Sequence, residues 1–258
     1  MIEQWGELTS DQIAERAGLR PVAALVLGAV EQHGPHLPLA TDSLIGEGLL
    51  AEASRRLDED FPLIMLPTLT IGASDEHTTY AGTLTFPPEQ MQQQVVRIGQ
   101  GLARSGIERL VLVNAHGGNI GWMDAAALEL RRRQRMLVVK ASYMRFDSPE
   151  ELAGGAELRD GLHGGLAETA MMLHFSPQLV HMDRARNFTP LHPHDGPLAP
   201  EGEAPWAWLA EDLNPAGVAG DAAAATAELG ERLAAHYGAR LARIISASRE
   251  MAWKPVSD

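Results

Sequence analysis

Leu27-Gly28-Ala29-Val30-Glu31-Gln32-His33-Gly34-Pro35-His36-Leu37-Pro38-Leu39-Ala40-Thr41-Asp42 follows an apolar run and gathers two carboxylates and two imidazoles into one short stretch. Val22 to Val30 reads as a buried strand, because a strand covered on both faces is a continuous apolar run rather than an alternating one. In an extended chain, residues two apart point the same way, so Glu31 and His33 are expected side by side. The Gly- and Pro-bearing loop then brings Asp42 toward them from another direction. Buried acids and imidazoles without partners are costly, which points to a cation or a catalytic task holding the group together. The plainer alternative is a loop whose acids cap the next helix, since Asp42 precedes Ser43 at a predicted helix start. Capping leaves Glu31 and His33 at a strand end unexplained.

Outward from this stretch, apolar runs alternate with helical patterns. Helices are predicted over Ser43 to Leu57, Pro88 to Ser105, Met123 to Arg133 and Leu166 to His174. Strands are predicted over Pro62 to Leu66, Arg109 to Val113 and Met136 to Tyr143. Such an order with continuous apolar strands predicts an α/β fold, a mainly parallel sheet sandwiched between helices. A single domain over residues 1–258 is expected from the length. Residues 187–220 are rich in Pro and Gly, hold His192, His194, Trp206 and Trp208, and show no period; such long loops tend to be lids or assembly surfaces. An Ala-rich helix is predicted over 221–246.

The chain has 21 Lys and Arg against 34 Asp and Glu, a formal charge of -13. That balance repels a phosphate backbone and argues against nucleic acid as a partner. The sole basic run, Arg131-Arg132-Arg133, ends a helical pattern, where cations suit the macrodipole. There is no Cys, so thiolate ligands and a cysteine nucleophile are excluded, and His and carboxylates remain as the strong ligands. Met1 to Gln12 has no signal-peptide core and no apolar run approaches a membrane span, so a cytoplasmic chain without membrane association is expected.

Ligands in open parallel sheets bind beyond the carboxyl ends of the strands. Three polar motifs fall there: Glu31 to Asp42, Gly72-Ala73-Ser74-Asp75-Glu76-His77, and Asn114-Ala115-His116-Gly117-Gly118-Asn119. His116 alone reads equally as a ligand or a packed residue, and its glycines also suit a phosphate-cradling turn, though no P-loop Lys or spacing is present. Glu76 and His77 are open between loop hydrogen bonding and substrate contact. In Leu162-His163-Gly164-Gly165-Leu166-Ala167-Glu168-Thr169, Glu168 could simply complement a helix dipole or serve as a ligand. His174, His181 and His236 read as structural or solvated, and Trp122, Trp206 and Trp208 read more readily as packed residues than as pocket lining.

Together these motifs, in this order, resemble the creatininase family of metal-dependent amidohydrolases from about residue 20 to 180. The resemblance implies an α/β sandwich, a dinuclear centre of two divalent ions and often a homohexamer built as a trimer of dimers. Carried over residue by residue, it makes Glu31, His33, Asp42 and His116 metal ligands, with Asp42 as the bridge. The creatinine-hydrolysing branch has a Glu two residues after the motif histidine and a bulky aromatic beside it; this chain has Gly118 and Gly117 there. The branch of the deformylases and the mycofactocin-precursor peptidase is the nearer match, and its ligand Glu corresponds to Glu168. Ser74 and His77 match a substrate-contacting loop, and His36 and Gly117 join them as candidate substrate-binding residues.

Five N/O ligands without sulfur suit Zn, Mn or Fe(II). Metal coordination lowers the pKa of water from about 15.7 toward about 7, which predicts attack by a metal-bound hydroxide on a polarised carbonyl, with His163 carrying a proton to the leaving nitrogen. The expected substrate is a small molecule with a non-peptide C–N bond, a cyclic amide or a formamide. Alternatives within the family are a C–C hydrolase of a cyclic polyol ketone and a small-peptide peptidase. From another class, the chain could be a non-catalytic metal- or anion-binding module.

Overall fold

The computed structural model describes residues 1–149, 152, 157–192, 197–200 and 203–253. Its strands include β1 (Ile2–Gln4), β2 (Val22–Leu27), β3 (Leu63–Met65), β4 (Arg109–Asn114) and β5 (Leu137–Ser142). These form one five-stranded sheet in the order β1-β3-β2-β4-β5, and every neighbouring pair is parallel. β2 and β4 run side by side from Val22 opposite Arg109 to Leu27 opposite Asn114. All residues of both are buried, which is the reason β2 and the Leu110 to Val113 stretch of β4 appear in the sequence as unbroken apolar runs.

The helices are α1 (Ser10–Ala17), α2 (Thr41–Ser54), α3 (Pro88–Arg104), α4 (Ile120–Gln134), α5 (Glu157–Asp160), α6 (Leu166–Phe175), α7 (Ala210–Leu213) and α8 (Ala227–Glu250). They cover both faces of the sheet. On one face Val22, Ala24, Val26, Val111 and Val113 pack with Ile45 and Leu49 of α2, Met171 of α6 and Leu241 of α8. On the other, Ala23, Leu25, Leu27, Leu110 and Leu112 pack with Met91 and Val95 of α3 and Trp122 and Leu130 of α4. Alternate strand residues therefore serve alternate cores. No helix among the described residues is long and apolar enough to cross a membrane.

β2 stops at Leu27 rather than at the predicted Val30. Beyond Leu27 the backbone exchanges partners: Leu27 bridges to Leu69 and Val30 to Leu84. Gly28 sits at this exit because a Cβ there would lie 2.2 Å from Ser43 Oγ and 2.8 Å from Ser43 Cα. The first turn of α2, which carries Asp42, is thus seated directly on the end of β2.

Three further differences from the sequence expectation have local causes. β1 and α1 have no counterpart among the predicted elements: the three residues of β1 carry no readable period, whereas the capping box of Thr9 and Gln12 that starts α1 is a legible signal. The terminal helix begins at Ala227 rather than 221, because Asp221 pairs with Asn187 in a short antiparallel ladder of β6 (Asn187–Phe188) and β9 (Gly220–Asp221), and Thr226 caps α8 by accepting the Leu229 N–H at 3.1 Å. Residues 187–220 also hold β7 (Leu198–Ala199), β8 (Ala204–Pro205) and α7. Tyr80 Oη donates to Pro215 O at 3.1 Å and Thr79 Oγ1 to Glu211 Oε2 at 2.8 Å, tethering this segment to the Gly72–His77 loop. His194 lies outside the described residues.

Candidate metal centre

The loops after β2, β3 and β4 and the start of α6 converge on a buried polar cluster. Glu31 and His33 are fully buried, and Asp42 and His116 are nearly so. Asp42 lies in the first turn of α2, but its carboxylate makes no capping hydrogen bond there. Instead Asp42 Oδ1 stands 3.2 Å from His33 Nε2, while Oδ2 stands 3.2 Å from His116 Nδ1. His116 Nδ1 is also 3.2 Å from Glu31 Oε2, and His163 Nδ1 is 3.8 Å from Glu31 Oε1.

Among the described residues, three triads have donor atoms within 4.8 Å of one another: Glu31, Asp42 and His116; His33, Asp42 and Glu168; and Glu31, His33 and His163. Asp42 thus belongs to two of them, turning one oxygen toward each of two histidines. The other nitrogen of each ring is held by a backbone carbonyl. His33 Nδ1 donates to Glu31 O at 3.2 Å, His116 Nε2 to Ala73 O at 2.8 Å, and His163 Nε2 to Gln32 O at 2.8 Å. An imidazole anchored this way presents its free lone pair to the cluster, the arrangement a metal-binding histidine needs.

Both oxygens of Glu31, His33 Nε2 and Asp42 Oδ2 are buried without a hydrogen-bond partner among the described residues. Such groups are expensive unless a ligand satisfies them, and a hard or borderline divalent cation matches this N/O donor set. Electrostatics agree. Burial disfavours the Glu31 carboxylate, yet the facing imidazoles of His116, His77 and His163 hold its pKa well below the usual range. Burial likewise opposes charge on His33, but Asp42 and the other carboxylates hold its pKa at about 9.

Glu168 occupies the first turn of α6 and does more than complement its dipole. Its Oε2 accepts the Gly164 N–H at 2.6 Å and its Oε1 accepts the Tyr143 hydroxyl at 3.3 Å, while it also closes the triad with His33 and Asp42. Of the other predicted residues, Ser74 is buried with Oγ 3.3 Å from His116 Nε2, and His77 is buried with its ring centroid 4.3 Å from that of His163. His36 is placed off the cluster: Nε2 contacts Gly164 O at 3.1 Å and Thr169 Oγ1 at 3.0 Å, and the ring stacks on Phe188. Gly117 is exposed with open space where a Cβ would stand; at Gly118 a Cβ would lie 2.3 Å from Ala73 O. The tight strand-to-helix turn therefore requires the second glycine.

The sequence leaves Glu76 open between loop hydrogen bonding and substrate contact, and assigns no role to Tyr143 or Asn119. Glu76 Oε1 lies 3.7 Å from His116 Nε2, and its adjacency to His77 was the available signal. Tyr143, just past the carboxyl end of β5, was findable by the same strand-end rule that located His116. Asn119 is fully buried and joins three loops, accepting from Ala73 N and Trp122 Nε1 and donating to Gly28 O. Trp122 is core, Trp206 meets His192 edge-on, and Trp208 meets His77 edge-on at 6.4 Å between centroids.

Comparison with known proteins gives a consistent result. The creatininase family, described as creatinine amidohydrolase, matches residues 6–245. A mycofactocin precursor peptide peptidase of Mycobacterium ulcerans is 34% identical over 235 residues, 88% of this chain and 86% of the relative. Creatinine amidohydrolase of Pseudomonas putida is 31% identical over 206 residues, 72% of this chain and 76% of the relative. Among solved structures, a mutant creatininase complexed with creatine superposes with a TM-score of 0.77 at 26% identity, covering 96% of this chain and 98% of that one. A manganese creatininase (TM-score 0.74, 26% identity, 96% and 97% covered) and a mutant of Zn–Zn type (0.73, 27%, 96% and 97%) are similar in fold. With a parallel sheet between helices, a buried His and carboxylate cluster at its carboxyl edge, and relatives that are amidohydrolases and peptidases, the chain belongs to the creatininase family and is a hydrolase.

Proposed function

We propose that Glu31, His33, Asp42, His116 and Glu168 hold two divalent metal ions, with Asp42 shared between them, and that the chain hydrolyses an amide C–N bond. The observation that carries this reading is the set of buried atoms on Glu31, His33 and Asp42 that face one another across the cluster without a hydrogen-bond partner among the described residues. When bound, such ions supply Lewis acidity, polarising a carbonyl and acidifying water from a pKa of about 15.7 toward about 7.

The protein's own groups position and move the proton. His163 keeps Nε2–H on Gln32 O, so Nδ1 offers a lone pair on the side of Glu31. It would take a proton there from the attacking water and pass it to the leaving nitrogen as the C–N bond breaks, while the Gln32 carbonyl steadies the charged ring. Ser74 and His77 contact the substrate, the open space at Gly117 leaves room for it, and His36 holds Gly164 and Thr169 from behind.

Two substrate classes follow. A cyclic amide or formamide is the expectation from the sequence. A bond in a small peptide is favoured by the 34% identity to the Mycobacterium ulcerans precursor peptide peptidase over most of both chains. The test is metal analysis of the purified chain, with turnover measured on creatinine, N-formyl amines and short peptides. Two ions per chain and turnover of one class are expected. A chain that binds no metal tightly, or binds it and turns over nothing in the panel, defeats the proposal.

A further inference from the structure

The Gln32 side chain lies in a network whose polarity can be read without ambiguity. Its Oε1 accepts the Gly34 N–H at 3.0 Å, its Nε2 donates to the Gly217 carbonyl, and the same Nε2 is 2.8 Å from His77 Nδ1. Gly34 N–H can only donate and Gly217 O can only accept. Turning the amide over would set donor on donor and acceptor on acceptor, so the orientation is fixed. The two N–H groups of Nε2 are then divided between Gly217 O and His77 Nδ1. A ring nitrogen that receives an N–H carries its lone pair there, which places the proton of a neutral His77 on Nε2.

His77 Nε2 stands 3.5 Å from Glu31 Oε1 and 3.9 Å from Glu76 Oε1, and forms no hydrogen bond among the described residues. It is a donor on the cluster side without a committed acceptor. His163, one ring away, is the reverse: Gln32 backbone O takes its Nε2–H and leaves Nδ1 as the acceptor. One residue thus holds two neighbouring histidines in opposite tautomers, by its side chain and by its main chain. Gly217 makes the contact feasible, since a Cβ there would lie 2.5 Å from Gln32 Oε1.

We propose that Gln32 is a positioning residue that locks His77 as an Nε2–H donor to the substrate's carbonyl oxygen. This rests on the amide-hydrolase reading above, and its test separates the two. The full-length, zinc-loaded chain labelled with 15N-histidine is examined by solid-state 15N NMR, with His77 identified by subtraction of the His77→Gln spectrum. His77 Nδ1 is expected unprotonated and Nε2 protonated. Gln32→Glu, whose carboxylate only accepts, is expected to move the proton onto Nδ1 and lower kcat by about 100-fold. KM and zinc content are expected to stay within about twofold. In the His77→Gln background, whose amide donor has no tautomer to lose, Gln32→Glu is expected to cost little more. Where Gln32→Glu does not fold, Gln32→Met serves, with a mixture of His77 tautomers expected. A protonated Nδ1 in the wild-type chain, or additive losses in the double variant, overturns the proposal. Absence of zinc binding or amide turnover in the wild type instead defeats the hydrolase reading, while the His77 spectrum still decides what Gln32 does.

Discussion

Raising the pH from about 5 to about 8.5 is expected to weaken the native fold through one carboxyl group, Glu157. Its Oε1 accepts the Ala167 N–H at 3.0 Å and so caps the helix that carries Glu168. Glycines crowd it, for a Cβ at Gly165 would lie 2.7 Å from Oε1 and one at Gly220 3.1 Å from Oε2. Burial, reinforced by the charge of Glu168 and only partly offset by hydrogen bonds from Ala167, Asp221 and Leu166, raises its pKa from 4.5 to about 7. In the unfolded chain the group ionises near 4.5; in the folded chain it keeps its proton to about 7. The native state therefore binds more protons across that window, and stability falls as pH rises through it, then stays level above. At about 1.4 kcal/mol for each tenfold change in proton affinity, the loss is roughly 3 kcal/mol. The assay is urea denaturation of the zinc-loaded wild type and Glu157→Gln at both pH values. The variant keeps an acceptor oxygen but no charge, so its stability relative to wild type should improve by roughly 3 kcal/mol between the two. Parallel pH dependence in the two proteins would refute the reasoning, because every other titrating group is common to both.

The remaining expectations concern the cluster itself. Asp42→Ala should remove metal and activity together, losing more than the roughly 100-fold that an outer hydrogen bond to a ligand is worth; two ions retained per chain would sink the bridging role. Proton competition at His33, whose metal-free pKa is about 9, should make zinc affinity rise as pH climbs toward that value, with proton release detectable by calorimetry in buffers of different ionisation enthalpy. A pH-independent affinity between about 6 and 9 would count against His33 as a ligand. Asn119→Ala breaks bonds to Ala73, Trp122 and Gly28 at a fully buried site and should cost about 3 kcal/mol in urea denaturation. A loss below about 1 kcal/mol would mean the loops hold one another without it.

The parallel sheet was legible because β2 and β4 are buried on both faces, and that condition writes an unbroken apolar run into the chain. The converging motifs were legible because parallel sheets place their working loops at one edge. Boundaries were less so. The exit of β2 depends on Leu69 and Leu84, distant partners that no local pattern announces, and three-residue β1 is held by pairing with β3 rather than by its own propensity.

What the sequence by itself determined is chemistry that is local: an acid, an imidazole and a second acid in one short loop, a glycine-flanked histidine after a buried strand, no sulfur ligand, and a strongly acidic balance. What only the tertiary structure decided is which atom of each group faces which. Asp42 divides its oxygens between His33 and His116 because α2 is seated on Gly28. His116 and His163 turn one nitrogen inward because carbonyls of Ala73 and Gln32, from other loops, take the other. His36 stands away from the cluster because Gly164 and Thr169 hold it. Residue types set which protons and lone pairs exist; their directions are set by hydrogen-bond partners far along the chain, and those partners are neighbours only once the chain has folded.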